Sequence, residues 1–364
     1  MYDWLKRTIN KSLFGINCLF SGLLLLSYLA AFVPPSSFYY LAILALGYPF
    51  LLFSNVLFAA WWLYRRKRYF YVPIASILIG YAHFSCFFGF HFGDSTATAS
   101  SLKIMSYNVR YFDAPFHQKK QTAELDKAHL DIMNIIAKEE AAIFCGQEFS
   151  GKTGIYNQRT KQIFEQKLGM PYSYTAGGSS LAIYSKYPIV HQGAIRFEGT
   201  HNGAIFSDIK TDKKTYRVYC FHLQSIRLSG AEKQAFQQQN ITTLNKDSTQ
   251  QKYKEISGKL KNAFVLREQQ VKFMQQHIQE SPHPVIVCGD MNDTPLSYAY
   301  HHLSQNLNDA FLQQEYGWGS TYAGSLPFLR IDYTFVSPAV TLQHFEVIRT
   351  TTSDHYPICT QIKH

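Results

Sequence analysis

No two of the six cysteines in this 364-residue sequence form a CxxC pair, and none has a Cys/His spacing typical of a metal site. This excludes a cysteine-ligated zinc module and a dithiol redox motif. Cys145, Cys220, Cys288 and Cys359 each lie in an apolar run that resembles a strand, where a free, buried thiol is the ordinary interpretation. The cysteines therefore do not indicate a cellular compartment.

Acidic residues are scarce in the first 100 positions, which hold only Asp3 and Asp94. Three long runs there contain no Asp, Glu, Lys or Arg, and each is long enough to cross a hydrocarbon core of about 30 Å as a helix. The first run is too long, and another apolar run follows it too soon, for a signal peptide. The sequence predicts a membrane region over 1–92 with three transmembrane helices, at about 13–33, 38–62 and 70–92.

Basic residues of this region lie in two clusters. Lys6, Arg7 and Lys11 precede the first run, the segment RRKR (65–68) separates the second from the third, and the loop VPPSS after the first run is uncharged. The positive-inside rule places the N-terminus and RRKR in the cytoplasm. We therefore expect an integral protein of the cytoplasmic (inner) membrane, held by the lipid bilayer. Everything after residue 92 would lie on the extracytoplasmic side, which is the periplasm in a bacterium with two membranes.

Residues 93–101, GDSTATASS, are small and polar and predict a linker. Beyond them, short apolar runs alternate with amphipathic segments, which predicts packed sheets flanked by helices in a domain over 102–364. Predicted strands lie at 102–108, 141–148, 180–185, 204–210, 216–224, 284–290, 331–337 and 357–363, and predicted helices at about 119–139, 158–168 and 260–280.

The stretch 226–259 is rich in Gln, Lys, Thr and Ser and is too long for a plain connection. It predicts a lid bordering a substrate groove, a helical insertion, or both. A solvated surface excursion is an equal alternative.

Polar residues stand repeatedly at the ends of the predicted strands. One such residue is ordinarily a cap or a turn, but a repeated pattern is typical of a site at one edge of a sheet. In chain order these residues are Asn108 and Arg110, Glu148, His222 and Gln224, Asp290 and Asn292, Arg330 and Asp332, and Asp354 and His355.

Three motifs at these positions resemble one superfamily. The segments QE (147–148), GDMN (289–292) and SDHYP (353–357) are similar to the Gln-Glu, Gly-Asp-x-Asn and Ser-Asp-His-x-Pro motifs of the endonuclease/exonuclease/phosphatase superfamily, which includes deoxyribonuclease I and neutral sphingomyelinases. The resemblance covers about 102–363. It implies an α/β fold, a four-layer sandwich with two central mixed sheets. It also implies metal-dependent hydrolysis of a phosphate ester, with Mg²⁺ as cofactor and Mn²⁺ as an alternative.

The resemblance also implies roles for individual residues. Asp290 would orient the attacking water, and Asn292 would hold the phosphate. Asp332 would hold His355 in one tautomer beside the phosphorus. The implied catalytic set is His222, Asp290, Asn292, Asp332 and His355, and the implied metal ligands are Asn108, Glu148 and Asp354. Candidate substrate contacts are Arg110, Gln224 and Arg330. No Ser or Cys nucleophile setting is present, which favours direct attack by water.

The substrate class follows less directly. Residues 101–364 carry a net charge of only +5, without a Lys/Arg cluster that would follow a nucleic-acid backbone. Membrane attachment favours a phospholipid or a small phosphoester. One alternative is a membrane-anchored nuclease acting on DNA or RNA, and a second is a non-catalytic binding module.

Overall fold

The computed structural model describes residues 2–92, 101–113, 122–149, 154–176, 180–200, 202–226, 246–324 and 329–364. The predicted linker lies outside these ranges apart from Ser101. Residues 227–245 of the polar insertion lie outside them as well.

The N-terminal region is helical and apolar. Its described elements are α1 (Tyr2–Tyr28), α2 (Pro35–Phe38), α3 (Tyr40–Leu46), α4 (Tyr48–Tyr64), α5 (Tyr71–Ile79), α6 (Tyr81–Phe87) and strand β1 (Gly89–Phe90).

One stretch, Trp4–Ala31, is long and apolar enough to cross a membrane. Two further helix pairs qualify only if each bent pair counts as one span: α3 with α4, bent by 64° at Gly47, and α5 with α6, bent by 60° at Gly80. The expected third helix at 70–92 needs correction, because the helix ends at Phe87 and the chain then pairs with Tyr316–Gly317 as β1.

The remaining strands and helices lie in the rest of the described chain. The strands are β2 (Ser101–Asn108), β3 (Ile143–Gln147), β4 (Tyr172–Thr175), β5 (Leu181–Ser185), β6 (Ile189–Arg196), β7 (Gly203–Lys210), β8 (Thr215–His222), β9 (Val285–Asp290), β10 (Asn308–Asp309), β11 (Tyr316–Gly317), β12 (Asp332–Val336), β13 (Leu342–Val347) and β14 (Ile358–Lys363). The helices are α7 (Thr122–Lys138), α8 (Gly154–Gln162), α9 (Lys246–Gln279), α10 (Tyr298–Leu303) and α11 (Ala310–Gln314).

Two mixed six-stranded sheets form the centre of this domain. Their strand orders are β13-β14-β2-β3-β5-β4 and β10-β12-β9-β8-β7-β6. The pairs β2–β3 and β8–β9 are parallel, and their neighbours in the sheets are antiparallel. The expected α/β fold with two mixed sheets is therefore confirmed.

Three apolar clusters hold the layers together. Both sheets contribute to the central cluster, which includes Ile143 and Val218 and buries the two inner faces against each other. The outer face of the first sheet packs on α7, and the outer face of the second packs on α9 and α10. The central strands β3, β5, β8 and β9 are buried on both faces, which is why their sequences are continuous apolar runs.

The eight predicted strands are present within one or two residues of their expected ends. The sequence analysis missed the two-residue strands β1, β10 and β11. It also missed β4, β6 and β13, most of whose residues are partly or fully exposed. The helix predicted at 260–280 begins earlier, at Lys246. The sequence analysis missed its first turns because they are polar and carry no apolar periodicity.

Candidate active site

Three adjacent strands of the second sheet bring acidic and histidine side chains together at one edge. In the parallel pair of β8 and β9, His222 lies opposite Asp290, and in the antiparallel pair of β9 and β12, Asp332 also lies opposite Asp290. The last residue of β8, the last of β9 and the first of β12 therefore form a row. Register alone places Asp290 between a histidine and a second carboxylate.

The first sheet supplies the opposite wall. Strand β2 ends at Asn108, and Glu148 directly follows β3, its parallel neighbour. The Nδ2 of Asn108 donates to Oδ2 of Asp290 at 3.0 Å, so this hydrogen bond joins the two sheets. The Glu148 carboxylate lies 3.8 Å from Nε2 of His222, so it faces the same space.

Oδ2 of Asp290 is the point on which four polar side chains converge. Asn108 and Asn292 donate to it from their amide groups at 3.0 and 3.2 Å, and Nε2 of His222 and of His355 lie 3.5 and 3.7 Å away. The other oxygen, Oδ1, accepts the backbone N–H of Asn292 at 2.8 Å. Asp290 itself is buried. The arrangement fixes one carboxylate orientation at the centre of the cluster.

His355 is oriented by Asp332. Its Nδ1 lies 2.9 Å from Oδ2 and 3.1 Å from Oδ1 of that carboxylate, and both side chains are buried. A carboxylate accepts hydrogen bonds only, so the proton sits on Nδ1. Nε2 is then the atom presented to the cluster.

The backbone is strained at three of these positions. Arg110, Glu148 and Asn292 have φ values of 48°, 49° and 56°, in the left-handed region that non-glycine residues rarely occupy. Asn tolerates this conformation best of the three. Such strain concentrates where a side chain must be aimed at a site, and here each of the three side chains belongs to the candidate set.

Burial and neighbouring charges shift the ionisation of the cluster. Burial raises the pKa of Asp290 to about 6, against the opposing effect of His355 and His222. Burial lowers the pKa of His355, but the carboxylates of Asp332 and Asp290 outweigh this and raise it to about 10. Burial also raises the pKa of Glu148. Burial is thus the main cause of the raised pKa of both carboxylates, and a bound cation would oppose it, as expected of a metal site.

The oxygen donors fit a hard divalent cation. The carboxylates of Glu148 and Asp290 lie 3.8 and 3.5 Å from Nε2 of His222, and the Glu148 side chain is 20% exposed, which leaves room for the waters that Mg²⁺ retains. Oδ1 of Asn108 accepts the backbone N–H of Arg110 at 3.1 Å, so it would offer a cation its second lone pair.

A second group, Asp290, Asp332 and His355, has ligand atoms within 4.8 Å of one another. In that group Asp332 and His355 already satisfy each other, so the Glu148 side is the better cation site.

The structure places the other predicted residues at different distances from the cluster. Arg110 and Asp354 lie at its rim, with Nε of Arg110 3.8 Å from Oδ1 of Asp354, and both side chains are partly exposed. The Gln224 amide is bound elsewhere, accepting from the Thr200 hydroxyl at 2.7 Å and donating to the Ser225 carbonyl at 3.0 Å. A direct role of Gln224 in binding substrate therefore has no geometric support.

Arg330 requires a correction. Its guanidinium is buried, donates to Oδ2 of Asp309 at 2.7 Å and donates to the backbone carbonyl of Cys86 at 2.7 Å. These partners turn it into the interior, away from substrate. Arg330 was predicted to contact substrate because a basic side chain can bind phosphate, but the sequence does not show where a long side chain ends.

Three residues that support the cluster were not predicted. The ring of Tyr322 packs edge-on against His355, with centroids 5.5 Å apart. The Thr321 hydroxyl accepts the N–H of Asp332, and the Ser353 hydroxyl donates to the carbonyl of Asn108. Ser353 could have been found from the sequence because it belongs to the SDHYP motif. Thr321 and Tyr322 lie in a loop with no sequence pattern.

Comparison with known proteins agrees with this geometry. Residues 105–355 match the family described as Endonuclease/Exonuclease/phosphatase family, and residues 10–87 match a domain of unknown function, DUF8431. No curated protein matches the chain at a significant level.

Several solved structures share the fold. The endonuclease/exonuclease/phosphatase of Bacteroides vulgatus is 15% identical, with a TM-score of 0.52, covering 72% of this chain and 98% of that one. A Bacteroides thetaiotaomicron family protein is 16% identical, with a TM-score of 0.50 and coverages of 73% and 98%. D. rerio TDP2, solved with a single-strand DNA product, is 18% identical, with a TM-score of 0.50 and coverages of 73% and 100%.

Proposed function

Because the chain belongs to the endonuclease/exonuclease/phosphatase family, we propose that it is a membrane-anchored, Mg²⁺-dependent phosphoesterase that hydrolyses its substrate by direct attack of water. Members of this family include phosphodiesterases, nucleases and phosphatases, and they are typically metal-dependent hydrolases. The observation that carries the proposal is the convergence of Asn108, His222, Asn292 and His355 on Oδ2 of Asp290.

The side chains of the cluster have complementary roles in this reaction. Asp290 accepts a hydrogen bond from the attacking water and takes up its proton. Nε2 of His355, aimed by Asp332, and Nε2 of His222 donate to phosphoryl oxygens as negative charge develops on them. The Asn292 amide donates to the Leu223 carbonyl at 3.1 Å and to Asp290, so it reaches a phosphate by exchanging the second contact.

The cation would be held by Glu148 and Asn108, with Asp354 near enough at the rim to contribute through water. When bound, Mg²⁺ neutralises negative charge on the phosphate and on the leaving oxygen. Arg110, 3.8 Å from Asp354, adds a positive charge at the same rim.

We favour a phospholipid or small phosphoester as the substrate class. The domain has no cluster of basic residues in its sequence that would bind a polynucleotide backbone, and an apolar helical region adjoins it. The nuclease alternative draws on TDP2, whose solved structure holds single-strand DNA, but a likeness at 18% identity extends to the fold alone. A non-catalytic module is disfavoured by the complete set of Glu148, Asp290, Asp332 and His355.

The test is an activity screen of the purified full-length protein. We expect Mg²⁺-dependent hydrolysis of bis(p-nitrophenyl) phosphate or of phospholipid in vesicles, loss of that activity with EDTA, and its recovery with added Mg²⁺ or Mn²⁺. The Glu148→Gln variant should need a much higher Mg²⁺ concentration for half-maximal rate, because one anionic ligand is lost. Nicking of plasmid DNA without lipid or small-ester hydrolysis would replace the proposal by the nuclease alternative.

We further propose that the three apolar segments each cross the membrane and leave the catalytic domain on the extracytoplasmic side. This orientation is supported by the contacts between the two regions. They involve residues 32–39, after the first segment, and residues 86–90, at the end of the third. Three crossings put both of these places on the same side of the membrane, opposite the basic segment 65–68.

Reporter fusions test this orientation. A reporter enzyme that is active only outside the cytoplasm should be active when fused after residue 364 and inactive when fused after residue 68. Activity of the second fusion alone would reverse the orientation, and activity of both would contradict the three crossings.

A further inference from the structure

The two chain segments that carry Asp290, Asn292 and Asp332 are both anchored on the N-terminal helices. Leu296 lies four residues after Asn292, in the loop that follows β9, and only 1% of its surface is exposed. It is part of an apolar cluster otherwise made by the helical region, which includes Leu24, Tyr28 and Tyr48. The loop that leaves the catalytic strand therefore packs the side chain of Leu296 into the apolar cluster of the N-terminal region.

Arg330 anchors the second segment. It lies two residues before Asp332, and its guanidinium donates to the carbonyl of Cys86 in α6 at 2.7 Å while pairing with Asp309. The hydroxyl of Tyr333 donates to the carbonyls of Arg330 and Asp293, at 2.7 and 2.9 Å. The two anchored segments are thus tied to each other as well as to the helices.

A third contact reaches the same loop through α9. The Glu268 carboxylate, which is buried, accepts the backbone N–H and the hydroxyl of Ser36 in α2, at 2.9 and 3.1 Å. Its neighbour Arg267 forms a 2.8 Å ion pair with Asp293, the residue after Asn292. Arg267 also donates to the carbonyl of Gln224, two residues after His222.

These contacts differ between the two walls of the site. The wall formed by β8, β9 and β12 is braced by the helical region through Leu296, Arg330 and Glu268. The wall that carries Asn108 and Glu148 belongs to the other sheet. Among the described residues, the hydrogen bonds and ion pairs of these two join them to residues of the catalytic domain, including Asp290, His222, Arg110, Tyr111 and Ser353. A loss of bracing should therefore displace Asp290, Asn292 and Asp332 relative to the cation site, rather than disturb the whole domain.

We propose that the N-terminal helical region is a positioning element of the active site, acting through Leu296 and Arg330, and not only an anchor. This inference rests on the proposed phosphoesterase function. A displacement of catalytic groups by about 1 Å is enough to lower a rate by about 100-fold. The helices therefore hold one half of the catalytic set in register with the other half.

The test uses the full-length protein in lipid nanodiscs with bis(p-nitrophenyl) phosphate and Mg²⁺. Leu296→Ala removes the inserted side chain, and Leu24→Ala empties the same cluster from the helical side. Trp62→Phe is the matched control, because Trp62 is equally buried in the helical region but packs on Phe14 and Tyr69 and bonds Asn17, away from this cluster.

We expect both alanine variants to lower kcat by about 10-fold or more while KM and the Mg²⁺ concentration for half-maximal rate stay within about twofold. Hydrogen–deuterium exchange of the backbone over 291–297 and 330–333 should be faster in both variants. Leu296→Met should restore kcat, because Met conserves the apolar volume. Trp62→Phe should change neither kcat nor the exchange rate of these two segments.

Unchanged exchange, or faster exchange with unchanged kcat, would overturn the inference. An equal fall of kcat in Trp62→Phe would also overturn it, because general loss of stability would then explain the result. If the wild type hydrolyses no phosphoester, the proposed function fails and the catalytic role of the helices fails with it. The exchange measurement still decides whether the helices brace these segments, so the two failures remain distinguishable.

Discussion

The Asp290→Asn variant is expected to lower kcat/KM for phosphoester hydrolysis by about 10³-fold. The substitution keeps the shape of the side chain but removes the negative charge that orders Asn108, His222, Asn292 and His355 around Oδ2. It also removes the group that takes the proton from water. An amide placed among four donors would turn one N–H toward another donor, so the local hydrogen bonds must rearrange.

A matched control is available in the same sheet. Asp208 is also buried, and it forms two hydrogen bonds with Arg217, at 2.6 and 2.8 Å. It lies on β7 five residues from Gly203, which pairs with His222, so it is about 17 Å along the strands from the site edge. Asp208→Asn should lower the free energy of unfolding by about 3–5 kcal/mol, as expected for breaking a buried ion pair, while folded molecules keep the wild-type kcat.

Steady-state kinetics and thermal unfolding of the two variants separate catalysis from stability. Asp290→Asn should lower kcat/KM strongly while the protein stays folded. Asp208→Asn should lower the unfolding temperature while kcat stays at the wild-type value. An Asp290→Asn enzyme that retains more than a tenth of the wild-type kcat/KM would remove Asp290 from the catalytic role.

The sequence predicted those parts of the site that local pattern determines. Strand ends follow from apolar runs that stop at a polar residue, and the parallel and antiparallel pairing of β8, β9 and β12 then places His222, Asp290 and Asp332 at one edge. Motif resemblance added which polar ends belong together. The strand ends and the motifs are local in sequence, whereas the pairing of these three strands was not predicted and is given by the structure.

The parts that sequence did not predict depend on contacts between distant segments. Arg330 was assigned to substrate as a basic residue that could contact phosphate, yet its partners are Asp309 and the Cys86 carbonyl, and the latter lies 244 positions away. The bond between Ser36 and Glu268 spans 232 positions. No local periodicity encodes which apolar loop side chain inserts between which helices, so the docking of the helical region was not foreseen.

Elements at the periphery were missed for a different reason. Strand β6 has an exposed face and a polar sequence, IVHQGAIR, so its alternation is weak. The first turns of α9 have a polar sequence, and a helix without an apolar stripe has no periodic signal. These elements cover the domain without supplying residues to the active-site cluster.

The second large effect concerns the pair of Asp332 and His355. Asp332→Asn should lower kcat by about 10²–10⁴-fold, because the carboxylate both orients the imidazole through Nδ1 and raises the pKa of His355. Without it, Nε2 is no longer held protonated and aimed at the phosphate. KM should change little, since substrate still meets the cation ligands Asn108 and Glu148.

A double-mutant cycle tests whether the two residues act as one unit. His355→Ala alone should cost about 10³-fold in kcat, and adding Asp332→Asn to it should cost less than about threefold more, because the carboxylate acts only through the imidazole. The expected coupling follows from geometry: Asp332 makes two contacts with Nδ1 of His355, at 2.9 and 3.1 Å, and its position opposite Asp290 is set by strand register. Additive losses would instead mean that Asp332 reaches substrate or cation directly. The close grouping of Asp290, Asp332 and His355, within 4.8 Å, would then be a metal site in its own right.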